Sequence, residues 1–132
     1  MFKRIDHIGI VVENLEKAMG TYAEAFGLDC VRQTEIEEVG LRIAVLRAGD
    51  LFVELLEYRD QESEMVKSLK GDQKGINHIC YAVEQFDETM ERLKAEGFQL
   101  IEGFPRKGVH GRIAFFIPPH SQEERIEILE VL

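Results

Sequence analysis

The stretch IDHIGIVVENLEKAMGT at residues 5–21 recurs later in the chain as INHICYAVEQFDETMER at residues 76–92. Aligned without gaps, the two stretches share residues at these equivalent places: Ile5/Ile76, His7/His78, Ile8/Ile79, Val12/Val83, Glu13/Glu84 and Met19/Met90. Each copy is followed by a similar strand-like segment, FVELLE at 52–57 and RIEILE at 125–130. Because both ends of each half match, the sequence indicates an internal duplication.

The two halves predict the same series of elements. Each repeat starts with a short apolar run typical of a strand, IDHIGIVV or INHICYAV, and continues into a helix with one apolar face. The apolar residues of these helices recur at helical spacing: Leu15, Ala18, Met19, Tyr22 and Phe26 in the first, and Phe86, Met90 and Leu93 in the second. Further strands are predicted at 29–36, 41–48 and 51–58 in the first half and at 98–102, 111–117 and 124–131 in the second.

This element order predicts an α+β fold made of two tandem βαβββ modules. The first module is expected at 1–58 and the second at 76–132, with a polar connector at 59–75 that contains one short helix. The chain has 132 residues, of which 45% are hydrophobic. That is enough to bury a core, either as one compact domain or as two small packed modules.

Composition excludes several classes of function. The chain has 16 Lys and Arg against 25 Asp and Glu, and its formal net charge is −9. This balance argues against nucleic acid and against an anionic membrane surface as partners. No apolar run approaches the roughly 20 residues that span a bilayer, and two cysteines are too few for a disulfide framework. The expected location is the cytoplasm.

Four residues of the duplicated pattern form a candidate metal site. His7 and His78 start equivalent strands, and Glu54 and Glu127 lie in the middle of the equivalent last strands. A single His in a strand is most often structural, and a single Glu most often faces solvent. The recurrence of both residue types at matching places favours ligands instead. Two imidazoles and two carboxylates suit one divalent ion of Zn, Co, Ni, Mn or Fe.

Nearly the whole chain resembles the vicinal-oxygen-chelate superfamily, and within it the methylmalonyl-CoA epimerase family. The segments that carry the resemblance are IDHIGIVVENLEKAMGTYAEAFGL, VGLRIAVL, FVELLE, ESEMVKSLKGDQKGINHICYAV, KAEGFQLIEGFPRKGVHGRIAFFIPP and IEILE. In this superfamily paired βαβββ modules form a half-open, glyoxalase-like sheet around a metal. The resemblance implies that His7, Glu54, His78 and Glu127 are the ligands.

The resemblance also implies a reaction. The expected activity is epimerisation of methylmalonyl-CoA, or of a similar 2-carboxyacyl-CoA, by removal of the proton between thioester and carboxylate. Glu127 is assigned as the base and Glu54 as the acid on the opposite face, and a homodimer is expected. Two alternatives stay open. One is a lactoylglutathione lyase of the glyoxalase I type, or another isomerase of a thiol adduct. The other is a metal-free binding or resistance protein, which the intact ligand set disfavours.

Three departures from the epimerase pattern stand out. Glu54 stands where epimerases can have Gln and glyoxalase I has Glu, and this position does not separate the two activities. The stretch IPPHSQEER at 117–125 lacks the Lys and the glycines that epimerases carry after the corresponding strand. Ile43 stands where some epimerases have a further carboxylate. Position 43 therefore supplies no second proton carrier in this chain.

The segment FPRKGVHGR at 104–112 is a candidate contact for the substrate. It contains no acidic residue and three cations: Arg106, Lys107 and Arg112. In an acidic chain such a stretch predicts a phosphate contact, here for the CoA tail, and a solvated surface is the alternative. His110 in the same segment is a further candidate for contact with the substrate.

Overall fold

The computed structural model describes residues 2–71 and 75–131 and has a mixed α+β architecture. The chain forms two compact units. The first unit consists of His7–Asn77, and the second consists of Met1–Asp6 together with His78–Leu132. Strand β1, Phe2–Val11, therefore starts in the second unit and ends in the first.

The first unit contains the end of β1 and these further helices and strands: α1 Leu15–Met19, a π-helix Gly20–Ala25, β2 Asp29–Ile36, a 3-10 helix Glu37–Val39, β3 Leu41–Ala48, β4 Leu51–Tyr58 and α2 Glu64–Lys70. Its strands are ordered β2-β3-β4-β1, with β1 parallel to β4 and the other pairs antiparallel. One face of this sheet packs against α1. The buried residues of that core are Leu15, Ala44, Leu46 and Leu55.

Two side-chain oxygens accept hydrogen bonds from backbone N–H groups in the first turn of helix α1. Asn14 Oδ1 accepts the backbone N–H of Lys17 at 2.9 Å, as an N-cap does. Glu57 Oε2, from β4, accepts the N–H of Leu15 at 2.9 Å. After Met19 the helix continues as a π-helical segment, Gly20–Ala25, so the predicted helical stretch is present with a change of winding.

The second unit contains most of β5 and five further elements: β5 Gly75–Val83, α3 Phe86–Ala95, β6 Gln99–Leu100, β7 Arg106–Lys107, β8 Arg112–Ile117 and β9 Arg125–Glu130. Its strands are ordered β5-β9-β8-β6, and β7 pairs with β8. Strands β5 and β9 are parallel, and the other pairs are antiparallel. The core under α3 contains Val83, Phe86, Met90, Leu93, Ala114, Phe116 and Ile128.

The structure confirms most predicted elements and shortens one. The helix predicted in the connector is α2, capped by Ser63. The strand predicted at 98–102 is only Gln99–Leu100. Gly103 has a φ of 96°, so the chain turns there, and Pro105 offers no N–H to a ladder. None of the helices in residues 2–71 and 75–131 has the length and the hydropathy that a bilayer crossing requires.

Candidate metal-binding site

In the first unit the predicted ligands lie on the sheet face that points away from α1. Side chains alternate along a strand. Val53 and Leu55 of β4 belong to the core beneath α1, and Glu54 between them faces the other way. Its cross-strand neighbours are Gly9 of β1 and Val45 of β3. Glu54 is 5% exposed, so this carboxylate is held in an apolar sheet interior.

His7 lies beside Glu54. The ring atom Nδ1 is 3.4 Å from Glu54 Oε2, and the two side chains are 6% and 7% exposed. Two strands place them, because His7 is on β1 and Glu54 is on the parallel strand β4. The first unit therefore brings together one imidazole and one carboxylate with very little access to water.

The second unit repeats this arrangement. His78 Nε2 is 3.0 Å from Glu127 Oε1, and the side chains are 3% and 5% exposed. Glu127 of β9 has Cys80 and Phe115 as its cross-strand neighbours. The ring of Phe115 meets the His78 ring edge-on, with centroids 5.0 Å apart. Ile128, the next residue of β9, faces the core under α3, so Glu127 lies on the opposite sheet face.

Each His/Glu pair fits two adjacent ligands of one metal ion. With ligand bonds of about 2.0–2.2 Å, neighbouring donor atoms are roughly 2.8–3.1 Å apart around an octahedral ion and roughly 3.3–3.6 Å apart around a tetrahedral one. The observed separations are 3.4 Å in the first unit and 3.0 Å in the second. Glu54 Oε2 and Glu127 Oε1 are buried, and neither contact has the geometry of a hydrogen bond. A buried carboxylate is costly unless a positive charge faces it, which is what a metal or an imidazolium supplies.

Strand β3 has an apolar residue, Ile43, at the position where the resemblance would allow a carboxylate. It is 4% exposed, and its cross-strand neighbour Leu56 shares the Glu54 face of β4. Ile43 is therefore a buried apolar residue of β3 that pairs with Leu56, two residues from Glu54 on β4. This agrees with the departure noted in the sequence, where some epimerases have an acid at this position.

The three cations of the segment 104–112 lie on two strands and have different partners. Arg106 and Lys107 form β7, and Lys107 pairs across the ladder with Arg112 of β8. Arg112 donates two hydrogen bonds to Glu130, at 2.8 and 3.2 Å, and two to Asp87, at 3.1 and 3.2 Å. These bonds, that with Glu130 first, raise the pKa of Arg112 above its usual value.

Arg112 also lies over an aromatic ring, 4.4 Å from the ring centroid of Phe86. Its guanidinium therefore ties β8 to α3 and β9. Arg106 lies over the ring of Phe104, with 6.0 Å between its Cζ and the ring centroid, and Lys107 is exposed. These two residues stay candidates for a phosphate contact.

The predicted substrate residue His110 meets a buried carboxylate that sequence reasoning missed. Its Nδ1 is 3.0 Å from Asp6 Oδ2, and Asp6 is 6% exposed. Arg4 lies 3.6 Å from the other Asp6 oxygen. The repeat contained a signal for Asp6, because both copies carry an Asx residue just before the predicted ligand: IDHI in one and INHI in the other. Asn77, the equivalent residue, is also buried and donates to the carbonyls of Leu69 and Lys70.

Comparison with known proteins agrees with the fold. Residues 6–116 match the Glyoxalase/Bleomycin resistance protein/Dioxygenase superfamily. An uncharacterized protein of Bacillus subtilis is 32% identical over 96% of this chain and 91% of its own length. An ethylmalonyl-CoA/methylmalonyl-CoA epimerase of Cereibacter sphaeroides is 30% identical over 90% of each chain. A solved Streptomyces coelicolor methylmalonyl-CoA epimerase variant, in complex with 2-nitronate-propionyl-CoA, is 26% identical, with a TM-score of 0.83 and full coverage of both chains.

Proposed function

Because the chain belongs to the glyoxalase/bleomycin resistance protein/dioxygenase superfamily, we propose that it is a metal-dependent epimerase of methylmalonyl-CoA or a similar 2-carboxyacyl-CoA. One observation carries this proposal: a buried imidazole and a buried carboxylate lie 3.0–3.4 Å apart in each compact unit, on the face away from the helix. The epimerases among the relatives supply the substrate class.

The proposed ligands of one divalent ion are His7, Glu54, His78 and Glu127. Two carboxylates balance the charge of such an ion, and two imidazoles suit Zn, Co, Ni, Mn or Fe. When bound, the ion would polarise the thioester carbonyl and stabilise the negative charge that develops on the substrate. The rigid strands that carry the four residues hold their donor atoms in fixed directions.

The chain's own residues would move the proton. We assign Glu127 as the base that accepts the α-proton. Its surroundings exclude water, since its side chain is 5% exposed and Phe115 lies across the ladder from it. Glu54, its counterpart in the first unit, is the carboxylate assigned to the opposite face of the substrate.

The remainder of the substrate needs contacts away from the reacting carbon. Arg106 and Lys107 are the cations proposed to meet the phosphates of CoA. Lys107 is exposed and Arg106 is half-buried, so both are reachable from solvent. Contacts so far from the chemistry would act mainly as uniform binding, which changes KM more than kcat.

A second candidate is a lyase of the glyoxalase I type. It stays open because the resemblance implies the same ligands for glyoxalase I, and Glu54 by itself does not separate the two activities. The same ligand set and the same type of proton abstraction would serve a hemithioacetal of a small thiol. A metal-free binding protein is disfavoured, since it has no use for two buried His/Glu pairs.

Proton exchange tests the proposal directly. The purified holoprotein is incubated with methylmalonyl-CoA in heavy water, and deuterium at the α-carbon is followed with and without a chelator. We expect rapid exchange that the chelator abolishes. A parallel assay uses the hemithioacetal of glutathione and methylglyoxal. Turnover of the adduct without exchange into methylmalonyl-CoA would replace the proposal by the lyase, and exchange that is insensitive to the chelator would exclude metal dependence.

A further inference from the structure

A second ionisable pair lies in the second unit, outside the four predicted ligands. It consists of Asp6, from the first strand, and His110, from the loop between β7 and β8. The two residues are 104 positions apart in the chain, and their polar atoms are 3.0 Å apart. Asp6 is 6% exposed and the His110 side chain is 25% exposed. The carboxylate is therefore inside the protein, and the ring reaches the surface.

The loop that carries His110 is a short turn closed by a backbone hydrogen bond. Gly108 N–H donates to the carbonyl of Gly111 at 2.7 Å, which closes the turn around His110. A Cβ at Gly108 would come within 2.8 Å of Ile113 Cδ1, and Gly111 has a φ of 146°. The positive φ of Gly111 favours glycine at that position. The imidazole is presented by a short turn that this hydrogen bond closes.

The same turn packs against the sheet face that carries Glu127. A Cβ at Gly111 would lie 3.3 Å from Leu129 Cδ1, so the loop touches Leu129 directly. Leu129 follows Glu127 by two residues on β9 and lies on the same face, because side chains alternate along a strand. His110 is thus held on a turn that borders the face of the proposed base.

The chemistry of the pair suits proton transfer. A carboxylate next to Nδ1 stabilises the tautomer with its proton on that atom, which places the lone pair of the neutral ring on Nε2. An imidazole oriented in this way is the commonest general base and acid in enzymes. Inversion at a carbon needs two proton carriers, one for each face. The position of Ile43, where some epimerases have an acid, offers none in this chain.

We propose that His110 is the second proton-carrying residue of the epimerisation and that Asp6 is its positioning residue. This inference rests on the proposed function and revises one role in it: His110 replaces Glu54 as the proton carrier on the opposite face, and Glu54 remains a proposed ligand. As the α-carbon–hydrogen bond breaks, Nε2 forms a bond to the proton and the electron pair of that bond passes into the enolate. The proton of the Glu127 carboxylic acid then bonds to the carbon from the other face. In the reverse direction the two residues exchange roles.

The test follows each epimer of methylmalonyl-CoA separately in heavy water. Inversion and deuterium uptake are measured for the holoprotein and for His110→Asn, with His110→Gln as a second replacement. We expect inversion to fall by at least about 10²-fold in both variants, the usual lower scale for loss of a general base. One epimer should continue to take up deuterium, because Glu127 can still remove and return its proton. His120→Asn is the matched control, since His120 is exposed and ion-paired with Glu124.

The positioning role of Asp6 needs its own measurement. Asp6→Asn should slow inversion by roughly tenfold or more alone and should have no further effect in the His110→Asn background. A purely structural role would give additive losses.

Metal content and melting temperature are recorded for every variant. Inversion at the normal rate in His110→Asn would overturn the inference and leave the proposed function intact. Equal loss of deuterium uptake from both epimers with metal retained would also overturn it. Absence of exchange in the unaltered protein would overturn the proposed function itself.

Discussion

Replacing His78 by alanine tests the metal site where its geometry is tightest. The His78 and Glu127 side chains are 3% and 5% exposed, and their polar atoms are 3.0 Å apart. The replacement removes one proposed ligand and leaves a buried carboxylate without its imidazole. We therefore expect two separable effects, a loss of stabilisation by metal and a loss of stability in the chelated protein.

The size of the first effect follows from linkage. A metal at 100 times its dissociation constant stabilises the folded state by about 2.7 kcal/mol. For 132 residues the unfolding entropy is roughly 0.28 kcal/mol/K, so the melting temperature should rise by about 10 °C. If loss of one ligand weakens binding about 100-fold, the same metal concentration gives about 0.4 kcal/mol, or 1–2 °C. In chelator, the variant should be less stable by about 1–3 kcal/mol, the usual penalty for a buried polar group that loses its partner.

Scanning calorimetry with and without metal measures both effects. Metal content is determined on the same samples, and His120→Ala serves as a control, because that imidazole is exposed. The metal-induced rise should be near normal in the control and almost absent in His78→Ala. A rise of about 10 °C in His78→Ala would refute the assignment of this residue as a ligand, whatever the variant's stability in chelator.

Three further predictions concern the base, the substrate tail and the fold. Glu127→Gln should retain part of its metal and lose α-proton exchange by at least about 10²-fold, as followed by deuterium uptake. Arg106→Ala/Lys107→Ala should raise KM for methylmalonyl-CoA on the order of tenfold, less at high salt, and should leave KM for a short thioester without nucleotide unchanged. Leu15 N–H, and then Arg42, lower the pKa of Glu57 below its usual 4.5, so this carboxylate stabilises the folded state above that pH. Glu57→Gln should therefore lower the free energy of unfolding in urea by about 1 kcal/mol at pH 7, and the difference should disappear as pH falls through the folded-state pKa.

The His/Glu pairs could be predicted from the sequence because strand alternation and the internal repeat are both visible in it. Strand alternation assigns Glu54 and Glu127 to one face, and the repeat assigns His7 and His78 to matching strands. The structure places each His beside its Glu within a unit. The use of all four as ligands, the homodimer, the cytoplasmic location and the module bounds at 1–58, 59–75 and 76–132 stay predictions.

The interactions that sequence reasoning missed join residues far apart in the chain. Asp6 is a single acid in a strand, which by pattern alone predicts a solvent-facing side chain, and its partner His110 comes 104 positions later. Arg112 was predicted as a cation open to phosphate. Its carboxylate partners lie 25 and 18 positions away, on a helix and on a neighbouring strand. The periodicity of the sequence does not predict these contacts, because only the packing of the folded chain brings the residues together.

Strand β1 begins in one compact unit and ends in the other, so the unit that contains His78–Leu132 is not an uninterrupted piece of chain. A gene fragment that encodes His78–Leu132 alone lacks the first residues of the protein, and with them the carboxylate that meets His110. Expressing the two repeats separately therefore removes residues 1–6 from the unit that contains His78–Leu132. The C-terminal half therefore depends on residues 1–6 for a complete unit, whereas His7–Asn77 is one uninterrupted piece of chain.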